Sequence, residues 1–340
     1  MRDIETCLSI ILVLLSWVGQ SYFSFRPTHV GKVFKIFIMT KDEWPMIVSN
    51  VLYHGHVFGF NNIHVIDGSA DQRQIDFLNK IHSNLGVSRY FSSKKLNDLA
   101  GYISNIMLSE SRYCDFMIKI DTDEILALYR PKSREIKIDR DSINSYLGSL
   151  PYTGARYKVH YVTKNSLDFN YSDHDEDVIS ATRHFRPIAP TSFKTFFASG
   201  SFEEVDLGSH HGRLKKNFDM KNLHRTDFII LHHHNLPPSQ YIDELRRAVV
   251  SHGYLNGSES SEVALKKLGN FSCATSYVKF QQCICLSCHK VGGYLQFLKN
   301  NSRFLSDYIN STKYDPKMDF SFNNVSRKVT QLRSQYAFTI

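Results

Sequence analysis

Asp121-Thr122-Asp123-Glu124 places three carboxylates within four residues, directly after the apolar run Phe116-Met117-Ile118-Lys119-Ile120. A run that short and apolar, bounded by charge, suits a strand buried on both faces of a mostly parallel sheet. In such sheets ligands bind just beyond the carboxyl ends of the strands. Crowded acids there repel one another, and removing them from water is costly unless a cation neutralises them. A hard divalent ion with oxygen ligands, Mg2+ or Mn2+ carrying a diphosphate, is the natural partner. Asp121 and Asp123 can both reach one ion if the strand has already turned into a loop. An isolated Asp-x-Asp is equally an acidic turn closing a strand, so its surroundings must decide.

Those surroundings alternate strand and helix. Val33 to Met39 is an apolar strand, and Thr40 to Glu43 offers a capping-box start for a helix. Trp44, Ile47, Val48, Val51 and Leu52 follow at helical spacing. Ile63 to Ile66 predicts a second strand ending at Asp67, with a helix on Ile75, Leu78, His82 and Leu85 after it. A strand at Val87 to Phe91 and a helix on Leu96, Leu99, Ala100, Ile103 and Met107 lead to the Asp121 strand. Three strand–helix units before a fourth strand imply right-handed crossovers and a doubly wound α/β sheet. Thr40, Asp67 and the Asp121/Asp123 pair would then line one edge. No Gly-rich phosphate loop follows the first strand. The expected nucleotide site is therefore held by acids and a cation, with Asp67 taking ribose or base hydrogens.

Length and composition permit a substantial core: 340 residues, 42% hydrophobic and 22% charged. The net charge of +8 favours anionic partners, but the 41 Lys and Arg are scattered without an RNA-binding signature, which argues against nucleic acid. Cys7 to Phe25 is uncharged throughout and near the lower limit for crossing a bilayer. Trp17, Tyr22, Phe23 and Phe25 suit an interfacial belt, so the segment reads as an uncleaved signal anchor in preference to a cleaved signal. The flanking charges, Arg2 with Asp3 and Glu5 before it and Arg26, Lys32 and Lys35 after it, do not favour that orientation. Six sequons, at Asn170, Asn256, Asn270, Asn300, Asn310 and Asn324, fit a lumenal chain in the secretory pathway, Golgi or ER. Cys273, Cys283, Cys285 and Cys288 lie within sixteen residues and read as local disulfides, with a zinc site on Cys283, Cys285, Cys288 and His289 or a haem attachment at Cys285-Leu286-Ser287-Cys288-His289 as rivals. Cys114 reads as a core thiol.

In order along the chain, these motifs resemble glycosyltransferases of the GT-A fold, in the family 92 and family 2-like branches. The matching stretch runs from Lys41-Asp42-Glu43-Trp44 through His54, Gly59-Phe60 and Ile63 to Val65-Ile66-Asp67-Gly68-Ser69-Ala70-Asp71. Asp121-Thr122-Asp123-Glu124 looks like the family's acidic motif, with Ile125 where Phe is usual. Ser192-Phe193-Lys194 and Gly208-Ser209-His210 look like the segment supplying a later metal-side His. Leu231-His232-His233-His234, with Pro237-Pro238-Ser239 and Tyr241, resembles the closing segment, where Arg246 and Arg247 replace the usual Lys. The resemblance covers about Val33 to Tyr254.

It implies a GT-A (Rossmann-like) doubly wound, mixed and mostly parallel sheet with flanking helices, plus a Cys-containing C-terminal extension. The expected bounds are 1–31 for anchor and stem, 32–255 for the catalytic domain and 256–340 for the extension. It further implies transfer of a sugar from a nucleotide sugar, UDP-linked, to a glycan or glycoconjugate hydroxyl, with inversion. Mn2+ or Mg2+ would be held by Asp123, by Asp121 directly or through water, and by His210, with His232 the next candidate and His211, His233 and His234 behind. Thr40 and Asp67 would contact the nucleotide. The acceptor's base is placed at Glu204, beside Glu203 and Asp206, with Asp173, Asp175, Glu176 and Asp177 as a rival cluster. Two other classes remain open: a non-catalytic lumenal carbohydrate-binding protein on a degenerate transferase fold, and a phosphotransferase. The latter's Asp-x-Asp would follow the first strand and require Thr or Val at the position of Ile125.

Overall fold

Alternate residues of the first strand, β1 (Phe34–Thr40), enter two different cores. Phe34, Ile36 and Ile38 join the larger and Phe37 the smaller, the two-residue period of a strand covered on both faces. The computed structural model describes residues 32–94, 96–133, 135–150, 155–167, 177–187, 193–221, 223–233, 236, 238–251, 254–269, 286–300, 303 and 320–337. After β1 come α1 (Met46–Phe58), β2 (Ile63–Asp67), α2 (Gln72–Leu85), β3 (Ser88–Phe91), α3 (Leu96–Glu110) and β4 (Phe116–Asp121), the expected alternation. β1 pairs in parallel with both β2 and β4, and β2 with β3. The spatial order β3-β2-β1-β4 therefore reverses direction between β1 and β4. Ile47 and Val51 of α1 and Phe77 and Leu78 of α2 pack on one face, while Ile103 and Met107 of α3 pack on the other. That is the side change right-handed crossovers require when direction reverses, and a crevice opens at such a point beyond the strand ends.

The run from Phe116 does not continue as one strand. Thr122 and Asp123 turn the chain into β5 (Glu124–Arg130), followed by β6 (Glu135–Lys137), α4 (Arg140–Ser149), β7 (Arg156–Leu167), α5 (Val178–Ala181), β8 (Thr182–Pro187) and β9 (Phe193–Ala198). A separate hairpin, β10 (Phe202–Val205) with β11 (Gly212–Leu214), precedes β12 (Leu223–His232). From β4 the sheet continues β9-β7-β12-β5-β6, antiparallel apart from the β7–β12 pair. The α/β class, mixed sheet and flanking helices are thus as expected, with the parallel winding concentrated in the first four strands.

α1 starts at Met46 with Pro45 at its N-cap, so the capping box expected at Thr40–Glu43 does not cap it. Thr40 Oγ1 does donate to Glu43 Oε2 at 3.2 Å, but across the preceding turn. Nearly all of α1 is buried, because α9 (Asn323–Tyr336) covers its outer side with Val325, Val329 and Leu332. That last helix packs into the main core even though it falls within the 256–340 extension. α6 (Pro238–Ser251), α7 (Ser261–Gly269) and α8 (Leu286–Lys299) share a third core around Leu245, Val249, Leu268 and Leu295. A short β13 (Phe320–Ser321) pairs with β8. Cys273, Cys283, Cys285 and the Cys7–Phe25 segment lie outside the described residues, and the side chain of Cys288 is not described. Among the described residues no helix is long and apolar enough to cross a membrane. Cys114 is a free, partly buried thiol, pushed up to about 12 by burial.

Candidate active site

The ladder between β4 and β9 pairs Phe116 with Ala198 and Met117 with Phe197, then stops. The strands part toward the carboxyl end of β4, and neighbouring strands send polar side chains into the notch: Lys119 and Asp121 from β4, Lys194 from β9, Tyr161 from β7, Glu124 from β5 and His232 from β12. Asp121 gives one oxygen to Lys119 at 2.5 Å and the other to Lys194 at 3.1 Å. Lys119 also donates to the Leu207 carbonyl and Lys194 to Glu124. Both lysine side chains are fully buried, which is tolerable only because carboxylates surround them. Burial lowers the Lys119 pKa. Burial also opposes the Lys194 charge, but Asp121 and Glu124 outweigh it and raise its pKa. Asp121 likewise resists burial, since the two lysines hold it below the usual carboxylate range.

Glu124 is buried and accepts three donors: the Asp121 N–H at 2.8 Å, the Tyr161 hydroxyl at 2.5 Å and Lys194. Burial and then Glu124 raise the Tyr161 pKa and keep the phenol protonated. Asp123, Glu124 and His232 have ligand atoms within 4.8 Å of one another. Glu124 is buried and already accepts from three protein donors, whereas Asp123 and His232 remain about 29% and 25% exposed. His232 Nε2 lies 2.8 Å from Asp123 Oδ2, and Asp123 lifts His232 to about 9 even though burial opposes its charge. One carboxylate oxygen and one imidazole nitrogen, open to solvent, fit Mn2+ better than Mg2+, which prefers oxygen and water.

His232 therefore reaches Asp123. His210 does not, but it borders the same notch: the Tyr161 ring lies 5.7 Å from each of the two imidazoles. His210 Nδ1 sits 2.8 Å from the Phe193 carbonyl, which can only accept, so Nδ1 carries the proton and the Nε2 lone pair stays available. Gly208 makes room for that ring, because a Cβ there would come within 2.6 Å of His210 Cδ2. His211 is exposed, His233 is fully buried behind Asp123, and His234 lies outside the described residues.

Thr40 is buried and accepts from Gln74 at 3.0 Å while donating to Glu43. Asp67 is fully buried, with one oxygen on Arg89 (Nε at 3.0 Å) and the other on the Ser69 N–H at 3.0 Å. Glu204 is bound by Arg213 of the same hairpin at 2.7 Å. Asp206 accepts the N–H groups of His210 and His211 and so shapes their loop. Asp177 caps α5 and pairs with Arg333 at 3.2 Å, while Asp173, Asp175 and Glu176 lie outside the described residues. One acid that the sequence suggested as a helix cap and as part of the matching stretch, without a site role, joins the site electrostatically. Burial raises Glu43 to about 7, Arg247 of α6 opposes the rise, and Asp123 adds to it. Arg247 also binds the Asp42 carbonyl, tying α6 to the loop after β1.

No protein-family model matches the chain, and no curated protein matches it. Solved structures show distant similarity. One is S. aureus TarS 1–349 in complex with UDP-GlcNAc: 11% identity over 89% of this chain and 91% of that one, TM-score 0.34. Another is the mannosyltransferase PcManGT from Pyrobaculum calidifontis in complex with GDP-Man and Mn2+: 12% identity over 88% and 92%, TM-score 0.31. A third is a cytidylyltransferase from Leptospira borgpetersenii, with 10% identity over 50% and 61% and a TM-score of 0.28. The match thus spans about three fifths of the cytidylyltransferase and, in a longer S. aureus TarS chain, 53% of its length.

Proposed function

We propose that the chain is a metal-dependent glycosyltransferase that moves a sugar from a nucleotide sugar, UDP-linked, to a glycan or glycoconjugate hydroxyl. The observation that carries this reading is the Asp123–His232 contact, part-exposed beyond the carboxyl end of the central strand and beside the β1/β4 reversal. The ordered series of motifs resembling GT-A transferases supports it. Asp123 and His232 would hold Mn2+, with His210, which borders the same Tyr161 ring, as the candidate third donor. Bound there, the ion would stabilise charge developing on the departing diphosphate. Lys119 and Lys194 balance Asp121 and Glu124, so the notch does not repel a diphosphate as three bare acids would. For inversion a carboxylate must take the acceptor's proton. Glu204, held through one oxygen by Arg213, is one candidate, and Glu43, near neutrality, is the alternative. We further propose entry to the secretory pathway, with 1–31 as membrane anchor and stem.

Slow Mn2+-dependent hydrolysis of UDP-sugars tests the reading. Asp123→Asn should abolish most of it while keeping the fold, at a stability cost of no more than the about 1–2 kcal/mol that pairing with His232 supplies. Near-normal turnover in that variant would refute the metal site, and donor binding without any turnover would favour a carbohydrate-binding role.

A further inference from the structure

Two buried polar residues of α1 lie one helical turn apart against the acidic turn: Asn50 and His54. Asn50 Nδ2 donates to the carbonyls of Thr122 at 2.8 Å and Glu124 at 2.9 Å, using both amide hydrogens. His54 Nε2 accepts the Leu126 N–H at 3.1 Å. A backbone N–H can only donate, so the imidazole proton sits on Nδ1. From there it reaches the main-chain oxygen and Oδ1 of Asn50, each at 2.9 Å. The second of those contacts orients the amide, with its oxygen toward His54 and its hydrogens toward the turn. The carbonyl between the two that Asn50 holds, that of Asp123, takes the His233 N–H at 2.8 Å and its Nδ1 at 3.2 Å. Three consecutive carbonyls, 122 to 124, are therefore each held from outside the turn.

This pattern is more than is needed to fill a core. Asn is a poor helix former, and a buried amide is costly unless every hydrogen finds a partner. Here the cost is met at the one turn that carries Asp123. The turn joins β4 to β5, which are not neighbours in the sheet, so no hairpin ladder closes it, and the flanking ladders reach only its ends, at Met39–Asp121 and His232–Glu124. We infer that Asn50 and His54 are positioning residues that hold the Asp123 carboxylate in register with His232 for the divalent ion. The inference rests on the metal-site reading proposed above and adds to it the part that makes the site rigid.

The test is direct Mn2+ titration of the full chain, followed calorimetrically and by Mn2+ electron paramagnetic resonance. Asn50→Asp keeps the shape but places an acceptor against two carbonyls. Ile103→Ala, in the core across the sheet, is the control for lost stability alone. Asn50→Asp should weaken Mn2+ binding roughly ten- to a hundredfold, as loss of a group that orients a metal ligand does, while Ile103→Ala melts earlier and binds normally. Wild-type affinity in Asn50→Asp overturns the positioning role. Wild-type protein that binds Mn2+ no better than Asp123→Asn overturns the metal reading itself and this inference with it. Should Asn50→Asp not fold, His54→Leu against His54→Gln decides the matter. Gln can still accept the Leu126 N–H and should bind more tightly than Leu, and equal affinities refute the proposal.

Discussion

Removing His232 should change stability and metal binding with opposite dependence on pH. In the metal-free protein the Asp123 pairing raises His232 from 6.5 to about 9, despite the opposing effect of burial. At about 1.4 kcal/mol per unit, that rise is worth at most about 3.4 kcal/mol. The two side chains are a quarter or more exposed, so screening reduces the figure to about 1–2 kcal/mol. A raised histidine stabilises the fold fully below its unfolded value and loses that contribution as pH climbs through the folded value. Denaturant melts of wild type and His232→Gln, in chelator, should therefore differ by about 1–2 kcal/mol near pH 6 and converge above about pH 9. Mn2+ needs the neutral Nε2, so its affinity should run the other way, rising by up to about tenfold per pH unit until about pH 9. A stability difference independent of pH, together with a flat Mn2+ affinity, would refute the pairing and the ligand assignment at once.

Three further outcomes follow from the same geometry. Glu43 is a carboxylate raised from 4.5 to about 7 chiefly by burial, so it costs nothing below about pH 4.5 and its full penalty applies above about pH 7. Glu43→Gln should therefore gain about 1–2 kcal/mol at pH 8 in chelator, a gain that disappears in melts near pH 4.5. Asp67→Ala strands Arg89 beside a buried site and should cost about 3–5 kcal/mol in a denaturant melt with donor KM little changed; the reverse pattern would restore Asp67 to the nucleotide. Expressed through a eukaryotic secretory pathway, the chain should resist carbonate extraction and carry glycan at exposed Asn256. Asn324 should stay bare, because its sequon partner Ser326 is buried and bonded to the Ser180 carbonyl, and peptide mapping after deglycosylation separates the two sites.

What could be read in advance divides along the distance over which each interaction acts. The strand–helix alternation through β4 was legible because each unit announces itself by local period. The end of the Asp121 strand was legible because the apolar run gives way at once to three acids, although the structure keeps Thr122 and Glu124 buried. His232 was harder to prefer over His210, since the choice depends on β12 lying beside β5 with His232 opposite Glu124, a pairing of residues 108 positions apart. Nothing in local spacing encodes that strand order. The turn after β1 misled for a related reason: Thr40 and Glu43 have capping-box spacing and do bond, but Pro45 sets where the helix begins.

The two lysines carry the larger lesson about charge. Lys119 looks like a single polar interruption in an apolar strand, and Lys194 like an ordinary surface residue. Their side chains become fully buried only because β9 leaves β4 after two ladder pairs and both cations turn into the gap. Three acids seen in sequence suggest a site needing a cation of nearly their full charge. With two ammonium groups built in, Asp121 and Glu124 are already balanced, and the charge left for an exogenous ion is that of Asp123 with the neutral form of His232. A notch so balanced should hold Mn2+ loosely alone and more firmly when a diphosphate completes its coordination. On that reasoning Lys194→Met should not strengthen Mn2+ binding through a freed Asp121: it removes the cation from buried Glu124, leaves part-exposed Asp121 with Lys119, and should destabilise the fold by about 3–5 kcal/mol. A Lys194→Met protein of wild-type stability that binds Mn2+ more tightly would show instead that Asp121 is a ligand held in reserve.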